Sequence, residues 1–310
     1  MDNQDIKVTI RCITYNQKDY IRQCLDGFVM QRTNFRFEAI VHDDASTDGT
    51  DEIVREYAEK YPDIIKPIFE TENQYSKHDG SLGRIMNAHT RGKYVAICEG
   101  DDYWTDPLKL QKQADFLDAN PQCSLTYHAC KNVFSTPCKV NILYGESVKE
   151  SYSDIDILSL YPFQTATVMY RKEILDSDLY KKAQAIGCTA GDQILFLTAS
   201  RLGTIEGVNE KMSVYRRHEG GISQHMYEAD KLWKNFKDWQ KVALLFGGEI
   251  SSLIKKNQLS EYILFAFCDK KYFLFLRLEA LSLIKSPISF VQSLKTILRF
   301  NYNRFFKKKL

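Results

Sequence analysis

Residues 93–107 read KYVAICEGDDYWTDP, and the fold turns on how that stretch is parsed. A short apolar run ends in three acids within four residues, and a proline opens the segment after it. The same design stands earlier, where FRFEAIV at 35–41 runs into HDDASTDGT at 42–50. Each apolar run reads as a buried strand, and each acidic cluster as a turn leading into a helix. In an open parallel sheet the carboxyl ends of the strands face one crevice, so several carboxylates are aimed at one place. Like charges held that close need a partner. Clustered oxygen ligands suit a hard cation, Mg²⁺ or Mn²⁺, carrying a phosphate. A metal-dependent enzyme acting on a nucleotide or phosphate ester is therefore expected.

The rest of the chain extends that pattern. Strands are expected near 6–13, 36–42, 64–69, 93–98 and 123–129, with a helix up to about Gln31 and others at 50–60, from Arg84 and from Pro107 to about Ala119. Residues 71–83 (TENQYSKHDGSLG) read as a polar loop. This alternation predicts an α/β fold with a mostly parallel sheet and right-handed crossovers. Further on, FQTATVMY (163–170) reads as a strand, AGDQILFLTAS (190–200) as a buried helix, and 208–223 as a strand ending in a glycine loop. From about 225 the chain reads as helical and basic. Two domains are expected, 1–225 catalytic and 226–310 a basic, aromatic-rich helical extension.

Charge follows the same division. Of 310 residues, positions 231–310 hold 16 Lys/Arg against 5 Asp/Glu, leaving 26 against 35 for the rest. The tail is thus +11 and the body −9, which suggests two jobs. A −9 body repels phosphate backbones, so no nucleic-acid partner is expected. In the tail, Phe290, Leu294, Leu298, Tyr302 and Phe305 fall near one helical stripe, with Lys295, Arg299 and Arg304 elsewhere. That pattern suits a helix lying on an anionic membrane surface; a hairpin packed on the catalytic domain is the alternative. Eight cysteines without a Cys-x-x-Cys pair read as reduced core residues. No signal peptide or 18-residue uncharged span is visible, so a cytoplasmic protein, peripheral on the inner face of the membrane, is expected.

The motifs IRCITYNQKDYI, HDDASTDGT, RGKYVAICEGDDYWTDPLKL, GDQ at 191–193 and YRRHEGGIS stand in this order over about residues 5–225. Together they resemble the family 2 glycosyltransferases, which have the Rossmann-like glycosyltransferase-A fold and invert the anomeric centre. The resemblance implies transfer from a nucleotide-diphosphate sugar, most often a UDP-sugar, to a hydroxyl of a saccharide or lipid-linked glycan. It implies that Thr14, Tyr15, Asn16 and Asp44 meet the nucleoside. Asp102 would bind the cation directly, with Glu99 in the same metal cluster and Asp101 at the ribose or the metal's water shell. Asp192 would take the proton from the acceptor hydroxyl. His218 would complete the metal site, Arg84 would pair with phosphate, and Gln164 and Thr165 would face the acceptor. Each has a plainer alternative: turn and helix caps for Thr14–Asn16, Asp44 and Asp192, a solvated turn for the acids, and exposed side chains for His218 and Arg84.

Other classes fit less well. A dehydrogenase needs a Gly-x-Gly-x-x-Gly turn after strand one, where this chain has TYNQKD. A receiver domain places its acidic pair after strand one, and a nucleotidyltransferase opens with a Gly- and Arg-rich loop absent here. The alternative kept open is a non-catalytic nucleotide- or sugar-binding relative acting as an assembly component at the membrane.

Overall fold

The computed structural model describes residues 5–134, 148, 152, 156–157, 162–186, 191–221, 229–248 and 250–254, with 229–236 as backbone alone. The residues group into two compact units, one of 1–187 with 191–219, the other of 188–190 with 220–310. In the second, the described residues form helix α9 (Ala229–Phe246), in which Trp239, Val242 and Ala243 are buried and Leu244 is exposed. The amphipathic stripe expected at 284–309 lies outside the described residues. Among the described residues no helix is long and apolar enough to cross a membrane.

The first unit is built on an eight-stranded sheet in the order β3-β2-β1-β4-β7-β6-β8-β5. Its parallel half comprises β1 (Val8–Thr14), β2 (Phe37–Asp43), β3 (Ile65–Phe69) and β4 (Tyr94–Ile97). β1 and β2 are buried on both faces, as near-continuous apolar runs require. Helices α1 (Lys18–Val29) and α2 (Thr50–Lys60) bury Ile21, Leu25, Phe28, Val54 and Tyr57 against Val8, Ile10, Cys12, Ala39 and Val41. Five of the eight cysteines are described, and all five are buried and outside any disulfide, as reduced core residues should be.

The second half departs from simple β-α-β alternation. β6 (Cys123–Phe134) does not lie beside β4. The short β7 (Met169–Arg171) inserts between them and pairs antiparallel to both. β8 (Thr204–Arg217) runs parallel to β6, and the two-residue β5 (Tyr103–Trp104) closes the edge antiparallel to β8. Two stretches differ from the sequence reading. The polar loop at 71–83 contains α3 (Gln74–Lys77) and the start of α4 (Ser81–His89). Asn73 caps α3 by accepting from the Ser76 amide at 2.8 Å, and Asp44, thirty residues before Gln74, takes the free Gln74 and Tyr75 amides at 2.7 and 3.0 Å. Residues 163–170 are not one strand: Gln164 caps a 3₁₀ turn at Thr165–Thr167 by accepting from the Ala166 amide, and only then does β7 begin.

The helix after the acidic cluster, α5 (Lys109–Ala119), supports that turn from below. Lys109 is fully buried, its Nζ 4.0 Å from the Trp104 ring centroid and 2.7 Å from Gln113 Oε1. Gln113 in turn donates to Thr167 O at 2.9 Å, and Trp104 Nε1 to Ala166 O at 2.9 Å. Burial pushes the Lys109 ammonium down to about 7. Between pH 7 and its unfolded value near 10.5, the unfolded chain therefore holds more protons than the folded one, and stability rises with pH. We predict that Lys109→Met removes this slope, up to about 1.4 kcal/mol per pH unit. Urea midpoints at pH 7.5, 8.5 and 9.5, taken as wild type minus variant, read it directly; parallel curves would mean that Lys109 stays charged.

Candidate active site

The parallel register brings the site together. β1 pairs with β2 from Val8↔Phe37 to Thr14↔Asp43, so both strands end level. Beyond β4, the Cys98 amide donates to Arg11 O and the Gly100 amide to Ile13 O, at 3.1 Å each. Thr14, Asp43, Asp44 and the 99–102 loop thus share one edge. Gly100 is required there, because a Cβ would stand 2.5 Å from Gln17 Oε1 and 2.7 Å from Thr14 Oγ1.

The first two turns are clamped to each other. Asn16, at a φ of 50°, accepts from the Thr47 amide at 2.8 Å, and its own amide donates to Ser46 Oγ. The Gln17 amide reaches Thr50 Oγ1 and the Lys18 amide Asp48 Oδ2. The Asn16 carbonyl and both Asp44 oxygens are therefore engaged in holding the turns, while Tyr15 stands 47% exposed above them. Asp43 is buried, and its Oδ1 has no hydrogen-bond partner among the described residues.

The acids at 99–102 divide by environment. Asp102 is 1% exposed, and its oxygens accept from the Arg216 amide at 2.8 Å and from Gln164 Nε2 at 2.5 Å. Loss of solvation, then the charges of Asp101 and Glu99, hold its carboxyl well above the usual range. Glu99 accepts from Thr165 Oγ1 at 2.6 Å. Burial lifts it to about 7, and the Asp101 and Asp192 charges push the same way. Asp101 alone of the three meets a metal-type partner, His218 Nε2 at 3.0 Å. The Tyr20 ring lies 4.5 Å from the His218 ring, and the Arg216 guanidinium sits between Tyr20 and Tyr103 at 4.7 and 5.0 Å. Arg216 also donates to Asp101 O at 2.7 Å and to Gln23 Oε1.

Among the described residues no group of three or more His, Cys, Asp and Glu is arranged as a metal site. The chemistry nonetheless fits a cation. Buried carboxylates with raised pKa values are short of positive charge, and Mg²⁺ or Mn²⁺ commonly takes one or two protein ligands, with substrate phosphates and water supplying the rest. Asp101 and His218 stand beside Asp102 as residues that could hold it, since the one hydrogen bond on each Asp102 oxygen leaves that oxygen a further lone pair.

Asp192 opens helix α8 (Gly191–Leu202), where the Gln193 amide donates to its Oδ1 at 2.8 Å. Its charge raises the pKa values of Glu99, Tyr75 and Tyr180, so it lies within electrostatic reach of the acid cluster. Gln164 and Thr165 lie against Asp102 and Glu99, closer to the metal cluster than an acceptor role alone requires. Arg84 is the residue that the structure does not bring to the cluster. Its Nη1 donates to Asp79 O at 2.7 Å, and it lines a separate cavity with Lys172 and Gln184. Sequence reasoning missed Arg216, Tyr20 and Tyr75. Arg216 stands in the quoted YRRHEGG motif, but its contacts cross more than a hundred residues.

The family model for glycosyl transferase family 2 matches residues 9–178. An uncharacterized protein of Mycobacterium tuberculosis is 38% identical over 228 residues, covering 73% of this chain and 64% of that protein. The chain thus spans about two thirds of the length of that relative. An Escherichia coli protein, the UDP-Glc:alpha-D-GlcNAc-diphosphoundecaprenol beta-1,3-glucosyltransferase WfaP, is 29% identical over 263 residues, covering 80% of this chain and 94% of that one. Among solved structures, Staphylococcus aureus TarS residues 1–349 in complex with UDP-GlcNAc shares the fold at a TM-score of 0.59 and 20% identity, covering 96% of this chain and 81% of that one. The matched segment runs from β1 through the acidic loop to β7, and with the relatives it shows that this chain belongs to glycosyl transferase family 2.

Proposed function

We propose that the protein is an inverting glycosyltransferase. It would take a sugar from a nucleotide-diphosphate donor, a UDP-sugar by preference, and place it on a hydroxyl of a saccharide or lipid-linked glycan in cell-surface glycan synthesis. The observation that supports this reading is the acid cluster at the level ends of β1 and β2, where the 99–102 loop is held by Arg11 O and Ile13 O and Asp101 is hydrogen-bonded to His218. Asp192 lies within electrostatic reach of Glu99 in that cluster.

Tyr15, exposed at the end of β1, offers a ring for the base to stack on, and Thr14 and Asp44 stand beside it. Asp101 and His218 would hold Mg²⁺ or Mn²⁺, which when bound neutralises charge developing on the leaving diphosphate. Glu99, held by Thr165, keeps the cluster electronegative. Asp102 ties β8 and the Gln164 turn to the loop, fixing the cluster's shape. Asp192 accepts the proton of the acceptor hydroxyl as that oxygen attacks the anomeric carbon and the bond to the diphosphate breaks. WfaP, a relative of similar length, is named for a UDP-Glc donor and a diphosphoundecaprenol-linked acceptor, which supports the donor and acceptor classes. A basic stretch at 231–310 suits a protein working at an anionic inner membrane face, where such acceptors are presented. The reading predicts that one of UDP-Glc, UDP-GlcNAc, UDP-Gal or GDP-Man releases its nucleoside diphosphate at least tenfold faster with Mn²⁺ than with EDTA. No metal-dependent release from any of the four would point to the non-catalytic alternative.

A further inference from the structure

A cavity of about 340 Å³ opens between α4 and the segment made of α6 (Glu173–Asp176) and α7 (Asp178–Ala185). It is the cavity that Arg84 lines, and none of the acid-cluster residues borders it. Its walls are held at a fixed spacing. Gly80, at a φ of +81°, lies so close to α7 that a Cβ there would stand 2.8 Å from Gln184 O, and a Cβ on Gly83 would meet the Gln184 amide. Its floor is also fixed: Asn87 accepts from Arg11 Nη1 at 2.9 Å and donates to Gln184 Oε1 at 3.1 Å.

The lining is cationic. Arg84, Lys172 and Lys181 face one acid, Asp176. Lys172 pairs with Asp176 at 2.7 Å, and Arg84 approaches Asp79 at 3.8 Å. Lys181 has no ion-pair partner among the described residues and is exposed. Among the described residues no aromatic ring lines the groove, so they give it no flat apolar platform for a neutral sugar face. Its offer is directional donors and positive charge, which suit an oxyanion.

Arg11, which orients Asn87, also reaches Tyr170 Oη at 3.5 Å, so the floor is tied to β7. We propose that this groove is a second binding site, taking a phosphate or carboxylate group carried by the acceptor glycan. The assignment of the anion to the acceptor rests on the transferase reading; the anion site itself does not.

The test uses the full chain with saturating UDP and Mg²⁺, so that the donor site is filled. Glucose 6-phosphate and glucose are titrated as probes while backbone amide resonances are followed by NMR. Glucose 6-phosphate is expected to shift amides within 80–87 and 172–185, and glucose to leave them in place. Lys181→Glu is expected to weaken the phosphate titration at least fivefold, and 0.5 M NaCl to do the same. Should Lys181→Glu fold poorly, Lys181→Ala serves, with at least a twofold loss expected. Equal shifts from both probes, or a phosphate response indifferent to Lys181 and to salt, would overturn the proposal. So would competition between glucose 6-phosphate and UDP. UDP shifts at residues 99–102 are read in the same samples, so failure of the donor reading is seen separately.

Discussion

Asp192→Asn is expected to bind UDP within twofold of wild type and to lose sugar transfer by about 10²–10⁴-fold in kcat, the range for removal of a positioned general base. The substitution keeps the volume of the side chain and an oxygen for the Gln193 amide, so the start of α8 should survive. What disappears is the negative charge facing Glu99. With one acid fewer, the Glu99 carboxyl should titrate lower than its value near 7, because the Asp192 charge is among the causes raising it. A helix-capping role alone would predict the reverse pattern, with normal turnover and a small loss of melting temperature. Turnover at the wild-type rate would remove Asp192 from the mechanism and leave the family's base unassigned in this chain.

Asp102→Ala is expected to be a stability variant first. The carboxylate is buried, and its loss strands two donors, the Arg216 amide and Gln164 Nε2. Each stranded buried donor costs about 1–3 kcal/mol. Removing a like charge beside Glu99 and Asp101 offsets part of that, since both charges hold the Asp102 carboxyl above its usual range. The hydrogen-bond loss wins, because β8 and the Gln164 turn both lose their anchor to the acid loop. A net loss of about 2–4 kcal/mol is expected, a fall in Tm of roughly 3–6 °C for a chain of this size. Asp101→Ala, whose carboxylate is less buried and gives up one side-chain bond, to His218, should melt closer to wild type than Asp102→Ala. Equal melting of wild type and Asp102→Ala would mean that Asp102 does not brace the loop.

The parallel half of the sheet was legible because its signals are local. The strands expected at 36–42 and 93–98, each followed by an acidic turn, form at Phe37–Asp43 and Tyr94–Ile97, and the predicted mostly parallel α/β sheet is what the chain forms. The convergence of two acidic turns on one edge follows from that topology alone. What failed was non-local. α3 has a local cap in Asn73, but its first amides are taken by Asp44 from the turn after β2, and β7 is cut short because Gln164 caps the turn before it. The division of labour within Glu99, Asp101 and Asp102 was invisible for the same reason. Three neighbouring acids look alike until Arg216, 114 residues later, takes Asp102 and His218 takes Asp101. Arg84 lies away from the acid cluster because Gly80 and Gly83 seat α4 closely against α7, a packing the sequence does not show.

Calorimetric titration of UDP into wild type and Asp101→Ala, with and without Mn²⁺, tests the central claim most directly. The account predicts that Mn²⁺ tightens UDP binding to wild type at least tenfold and leaves Asp101→Ala unchanged. Binding indifferent to Mn²⁺ in wild type, or an undiminished metal effect in Asp101→Ala, would contradict it.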